Sequence, residues 1–414
     1  MCMNCTVFVC VRWKVCLECR FLLVLGIPLR SMNRVQYLRP RTEPIKVNPK
    51  CMFFELLQLS IGVRKEMTSA PTSEDWYRLY AMAGKQALLG VCFAGMKAAR
   101  EKGMSVPSPL YMQWLAVAAG IQQRNELLNR RCREIQEMCL NAGLRSCILK
   151  GQGNTLYYNT GKRDLSLLRQ SGDIDLWVEG GYERVMEWVN RVSPSDEVTC
   201  HHAHLHCFED VDVEVHYSPI RLPNPWRDRI LCRYFAESGA RQFGHRVALT
   251  TGEEIVSADK GFNLVFQLLH IYHHLFTEGV GLRQMMDYYF LLCSVRKEES
   301  SCQEAVDLVS RLGLERFASA LMWVLGHVFD LCRESMLWAP SESDGRFLLG
   351  EIMQSGNFGK QDARQNKMNR SKWDSFWTVH FKTFRLWRFD HWAWFWSPVF
   401  RIRWKVWQKK NGYR

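Results

Sequence analysis

One stretch constrains this chain more than any other: LLRQSGDIDLWV, residues 167–178, where Asp173 and Asp175 flank a single isoleucine and run into an apolar segment. Alternate residues of a strand project to the same face, so the two carboxylates point one way while Ile174 and Leu176 point the other. Like charges held side by side raise one another's pKa unless something positive lies between them. The segment therefore asks for a sheet with one face closed on an apolar core and the other gathering charge. A divalent cation with oxygen ligands is the usual neutraliser.

A third acid extends the pattern. VDVEVHYS, residues 211–218, alternates Asp212, Glu214 and His216 on one face. Laid beside 173–178, this strand lets Glu214 complete a cluster of three carboxylates, able to hold two cations around an in-line displacement at phosphorus. LKGQGN, residues 149–154, supplies a phosphate cradle. A strand ends at Lys150, Gly151 and Gly153 allow close backbone approach, and a helix is expected over NTLYYN. Arg169 and Arg163 are candidates to neutralise further phosphate charge.

K-G-x-x opening a helix, R-x-S-x-D-I-D on a strand and a lone acid on a later strand together resemble the polymerase β-type nucleotidyltransferase superfamily. LKGQGN stands where that superfamily usually has a Gly-Ser pair. Combined with RQSGDID, the Lys-Gly form is similar to the abortive-infection nucleotidyltransferase toxins. It is closer still to a bacterial family of uncharacterised nucleotidyltransferases. The phrases VEVHYSP, HLFTEGVGLRQMMD and SGNFGKQD extend that likeness over roughly residues 52–365. The resemblance implies an α+β fold, a small polymerase-β-like mixed sheet embedded between helical regions. It implies Asp173, Asp175 and Glu214 as catalytic, metal-binding residues. Lys150, Gly151, Gly153, Asn154, Arg169, Ser171 and Gly172 would surround the nucleotide. It further implies Mg²⁺, two ions, and transfer of a nucleoside monophosphate from a nucleoside triphosphate to an acceptor hydroxyl. Two other readings stay open: a catalytically degenerate nucleotide-, membrane- or RNA-binding module, and a toxin-like enzyme acting on tRNA.

The rest of the 414 residues divides by texture. Residues 52–143 show apolar positions at three- and four-residue intervals and read as helical. Residues 144–250 alternate strand and helix patterns and form the α/β core. Residues 251–359 return to helix, beginning with GEEIVSADKGFNLVFQLLHIYHHLF. Within that region His270, His273 and His274 share helical spacing. Arg283 and Asp287 follow a Gly-x-Gly break one turn apart, as a surface ion pair or as accessory site residues. His216 is a third accessory candidate. The histidines of HHAHLHCF, His201 to His206, read as support for the acid cluster rather than as metal ligands.

Net charge is +13, but residues 360–414 carry +11, residues 1–51 carry +7 and the body between them −5. Nucleic-acid binding by the whole chain therefore does not follow from its net charge. Residues 1–51 read as an unstructured leader, or as untranslated sequence before a later start. Cys2, Cys5, Cys16 and Cys19 approach a zinc spacing but lack knuckle-forming Gly or Pro, so coincidence is preferred. The sixteen cysteines lie in apolar surroundings, pointing to a reducing cytoplasm. The tail after 360 holds eight of the sixteen tryptophans among Lys and Arg. It suits a membrane surface, an RNA, or packing on the acidic body.

Overall fold

The computed structural model describes residues 52–161, 163–195, 197–295, 299–359 and 380–413, all within one compact unit. The leader, with Cys2, Cys5, Cys16 and Cys19 in it, and tail residues 360–379 lie outside the described residues.

Four helices lead into the sheet: α1 Met52–Ile61, α2 Ser73–Lys85, α3 Leu89–Glu101 and α4 Ser108–Asn141. Helix α2 starts at a capping box. Thr72 Oγ1 accepts from Asp75 N, and the Asp75 carboxylate accepts from Thr72 N at 3.0 Å. Helix α4 has 34 residues and is about 51 Å long at ~1.5 Å per residue. Its first half sends Leu110, Trp114 and Ala118 into a helical core. Its second half sends Leu128, Cys132, Ile135 and Cys139 into a separate core beneath the sheet. One helix thus couples the two apolar bodies that flank the sheet.

Strands β1 Ser146–Ile148, β2 Ile174–Val178, β3 His202–Leu205 and β4 Val213–His216 form a mixed sheet of order β1-β2-β4-β3. Only β2 and β4 are parallel. Between β1 and β2 lies the single-turn helix α5, Gln152–Thr155, and α6, Gly181–Val192, packs Val185, Met186 and Val189 beneath the sheet. Ile174, Leu176, Ala203, Leu205, Val213 and Val215 fill the same core. Their period of two leaves Asp175, Glu214, His216, His202 and His204 on the other face.

Helix α7, Pro225–Gln242, is followed by a two-stranded hairpin, β5 Arg246–Ala248 and β6 Glu254–Val256. The residues GEEIV, expected to begin a helix, therefore pair as an edge of that hairpin. The helix, α8 Lys260–Phe276, opens only after Asp259, whose side chain accepts from Phe262 N at 2.8 Å. The helix expected over NTLYYN also shrinks to the four residues of α5. Helices α9 Leu282–Ser294, α10 Ser300–Arg311, α11 Glu315–Phe329 and α12 Glu342–Ser355 complete the helical core. The architecture is α+β.

The described tail packs on this body. Leu386, Phe389 and Ala393 are buried in the helical core. Asp390 caps the last helix, α13 His391–Lys410, and accepts from Arg227 and from the Tyr272 hydroxyl, each at 2.6 Å. Farther along, Trp407 meets Tyr182 edge-on and Gln408 donates to Val198 O. No helix among the described residues is long and apolar enough to cross a membrane.

Candidate active site

Register arranges the charged face of the sheet as a grid. Asp175 of β2 lies opposite Glu214 of β4, and Glu214 lies opposite His204 of β3. One step along, His216 of β4 lies between Trp177 and His202. Carboxylates thus gather toward β2 and imidazoles toward β3, with β4 carrying one of each.

Asp175 is at the centre, only 1% exposed. Its Oδ1 is 2.9 Å from the Lys150 ammonium and 3.1 Å from His216 Nε2. Its Oδ2 is buried and has no hydrogen-bond partner among the described residues. Burial opposes charge on both cations, but the acids around them win. Lys150 is held above the usual lysine range by Asp175, Asp173 and Glu214. His216 is raised to about 9 through hydrogen bonds to Asp175 and Glu214. Burial would raise Glu214, yet His216 and Lys150 hold its carboxyl well below the usual range. One ligand atom from each of Asp175, Glu214 and His216 lies within 4.8 Å of the others.

A narrow cleft, open to solvent, runs from these acids to the helical core. From the sheet side Lys150, Gly151, Asn154, Asp173 and Asp175 line it, and from α8 and α9 come Gln267, His270, Arg283 and Asp287. Gly151 has φ +61°, a conformation that L side chains rarely adopt, and its backbone passes beside Asp173.

The sequence-predicted residues separate into distinct roles here. Arg169 lines the cleft, but its guanidinium is tied up. Nε and Nη2 each donate to the Asp287 carboxylate at 2.7 Å, with both residues about 5% exposed. Ser171 Oγ accepts from Arg169 Nη1, and Gly172 O accepts from Arg124. Both serve the loop before β2 rather than facing the cleft. Asn154 Oδ1 accepts from Gln267 at 2.8 Å. Gly153 is packed beneath, where a Cβ would stand 2.5 Å from Ser257 Oγ. Arg163 donates to Leu59 O and Ser60 O at the end of α1, away from the acids. Arg283 donates to Gln170 O at 2.6 Å, tying α9 to the same loop.

Sequence reasoning passed over Gln267, whose Oε1 is buried and unpartnered among the described residues. The signal available was its spacing of three from His270, which puts both on one face of α8. The imidazoles of His202 and His273 are uncharged at neutral pH. Burial first, then neighbouring rings, hold His202 down to about 3 and His273 down to about 4. This face offers oxygen ligands for a hard cation beside a cleft walled by amides and cations. Such an arrangement suits a substrate with several negative charges.

A family model described as uncharacterised nucleotidyltransferase matches residues 72–330. No curated protein and no solved structure matches the chain.

Proposed function

We propose, from the premise that the chain belongs to the uncharacterised nucleotidyltransferase family, that it moves a nucleoside monophosphate from a nucleoside triphosphate to an acceptor hydroxyl with Mg²⁺. The observation that carries this reading is the parallel register of Asp175 with Glu214, with Asp173 at the head of the same strand on the cleft. The donor set fits a hard cation. Asp175 and Glu214 offer oxygen ligands within 4.8 Å of one another, Asp173 lines the same cleft, and Asp175 Oδ2 is a buried acceptor with no partner among the described residues. Asp173, Asp175 and Glu214 would hold the ions. When bound, the ions supply charge neutralisation at the reacting phosphate and activation of the attacking oxygen.

The chain's own residues set the geometry. The acceptor oxygen attacks the α-phosphorus, the bond from that phosphorus to the bridging oxygen breaks, and pyrophosphate leaves with its electron pair. Glu214, kept ionised by His216 and Lys150, is a weak base suited to holding an ion, and would pass the hydroxyl proton on to solvent once a bound ion had made that hydroxyl more acidic. Lys150 lies 2.9 Å from Asp175 and offsets the negative charge that phosphates bring into the cleft. Gly151 and Asn154 border the triphosphate side. Arg169 and Asp287 act as positioning residues, because their buried pairing holds the loop that enters β2 against α9. The tail serves as a clasp on the body through Asp390.

The test is incubation of the purified chain with each α-labelled nucleoside triphosphate, Mg²⁺ and host extract, followed by fractionation. Label entering protein, RNA, lipid or small molecules identifies the acceptor. Binding of nucleotide with no transfer to any fraction would favour the degenerate module.

A further inference from the structure

We infer that the imidazole-rich edge of the sheet is a second metal site, a transition-metal site made by His202, His204 and Glu214. It differs in donor chemistry from the carboxylates beside it. Strand β3 runs antiparallel to β4, with His204 opposite Glu214 and His202 opposite His216. Two residues apart on a strand, His202 and His204 project to the same side. One ligand atom from each of His202, His204 and Glu214 falls within 4.8 Å of the others.

The separations suit ligands that share an ion rather than direct hydrogen bonds. His202 Nε2 lies 3.9 Å from Glu214 Oε2, and His204 Nε2 lies 4.0 Å from Glu214 Oε1. Both gaps exceed a hydrogen bond, which would close to ~2.9 Å. Ligand atoms around a four-coordinate metal with bonds of ~2.0–2.2 Å stand ~3.3–3.6 Å apart, so small side-chain rotations close the set. His202 Nδ1 is also buried and unpartnered among the described residues. Side-chain exposures of 12% for His202, 29% for His204 and 20% for Glu214 enclose the site yet leave a way in.

A fourth ligand is at hand. Glu197 Oε2 lies 3.7 Å from His204 Nε2, and its backbone oxygen accepts from His204 N at 3.1 Å, fixing that segment to the strand. Two imidazoles with one or two carboxylates select Zn²⁺, Co²⁺ or a similar ion over Mg²⁺, which favours all-oxygen shells. Glu214 belongs to both sets, one oxygen turned toward each histidine, so a metal here would fix the carboxylate that faces Asp175. The inference does not depend on nucleotidyl transfer, because it is read without nucleotide.

The experiment is Co²⁺ titration of the metal-stripped full chain, with Cys2, Cys5, Cys16 and Cys19 replaced by serine to remove competing thiols. The proposal expects the visible bands of four-coordinate Co²⁺, saturating at one equivalent, bleached by Zn²⁺ and resistant to excess Mg²⁺. H202A/H204A should abolish them, and Glu214→Gln should weaken binding by at least about 10-fold. Asp173→Ala should leave them in place. Circular dichroism checks that the double variant is folded. Bands that persist in folded H202A/H204A, or only the weak absorption of six-coordinate Co²⁺ in the parent, would overturn the proposal.

Discussion

Asp287→Ala removes the acceptor that holds the loop before β2 against α9. The carboxylate accepts from Arg169 Nε and Nη2 at 2.7 Å and from the Tyr158 hydroxyl at 2.6 Å. Arg169 is 5% exposed, so the substitution strands a guanidinium away from water. Breaking one side of a buried ion pair costs about 3–5 kcal/mol. Replacing both partners by apolar residues, as in R169M/D287L, should recover part of that loss, because the stranded guanidinium of Arg169 is gone while Tyr158 and Arg283 still lose the carboxylate. Burial would raise the Asp287 carboxyl, but Arg169 and Tyr158 hold it below its ordinary value. The stabilisation is therefore fully present above the ordinary carboxylate pKa of ~3.9 and lost as pH falls through the lower folded value. Urea denaturation at neutral and acid pH measures both effects. A neutral-pH loss below about 1 kcal/mol, the typical value for an exposed pair, would refute the reasoning.

Three further outcomes are expected. Gly151→Ala forces a side chain into φ +61°, with its Cβ 3.4 Å from Asp173 O, and should cost about 1–3 kcal/mol in thermal stability. Asp390→Ala removes the acceptor for Arg227 and Tyr272 and the cap of α13, so limited proteolysis should release the tail sooner, as read by fragment mass. His216 is raised to about 9 despite burial, so its contribution to stability is complete below pH ~6.5 and fades as pH rises through 9. The gap in stability between the parent chain and His216→Asn, followed by denaturation across pH 6–10, should narrow accordingly.

The parts of this molecule legible in the sequence are those governed by short-range periodicity. A period of two put Asp173 with Asp175, and Glu214 with His216, on common faces. The three- and four-residue spacing of α4 gave its extent to within two residues of Gly143. The hairpin of β5 and β6 was hidden, because GEEIV has no alternation and stands directly before a strongly helical run. Long-range pairing was hidden as well. Arg169 and Asp287 are 118 residues apart, and nothing local tells an arginine meant for phosphate from one meant for a buried aspartate. Arg283 and Asp287, one turn apart, look like a surface pair, yet both are buried and Asp287 reaches Arg169. The tail's composition suits lipid, RNA or packing equally well. The burial of Leu386, Phe389 and Ala393 and the bonds of Asp390 to Arg227 and Tyr272 reveal its contacts with the body.

The most direct measurement is the initial rate of pyrophosphate release, with the preferred triphosphate, its identified acceptor and Mg²⁺, in the parent chain, Asp175→Asn and Glu214→Gln. The account predicts that each variant keeps its fold and loses at least about 100-fold in rate, the usual cost of removing one electrostatic contributor. Undiminished release by folded Asp175→Asn would contradict it.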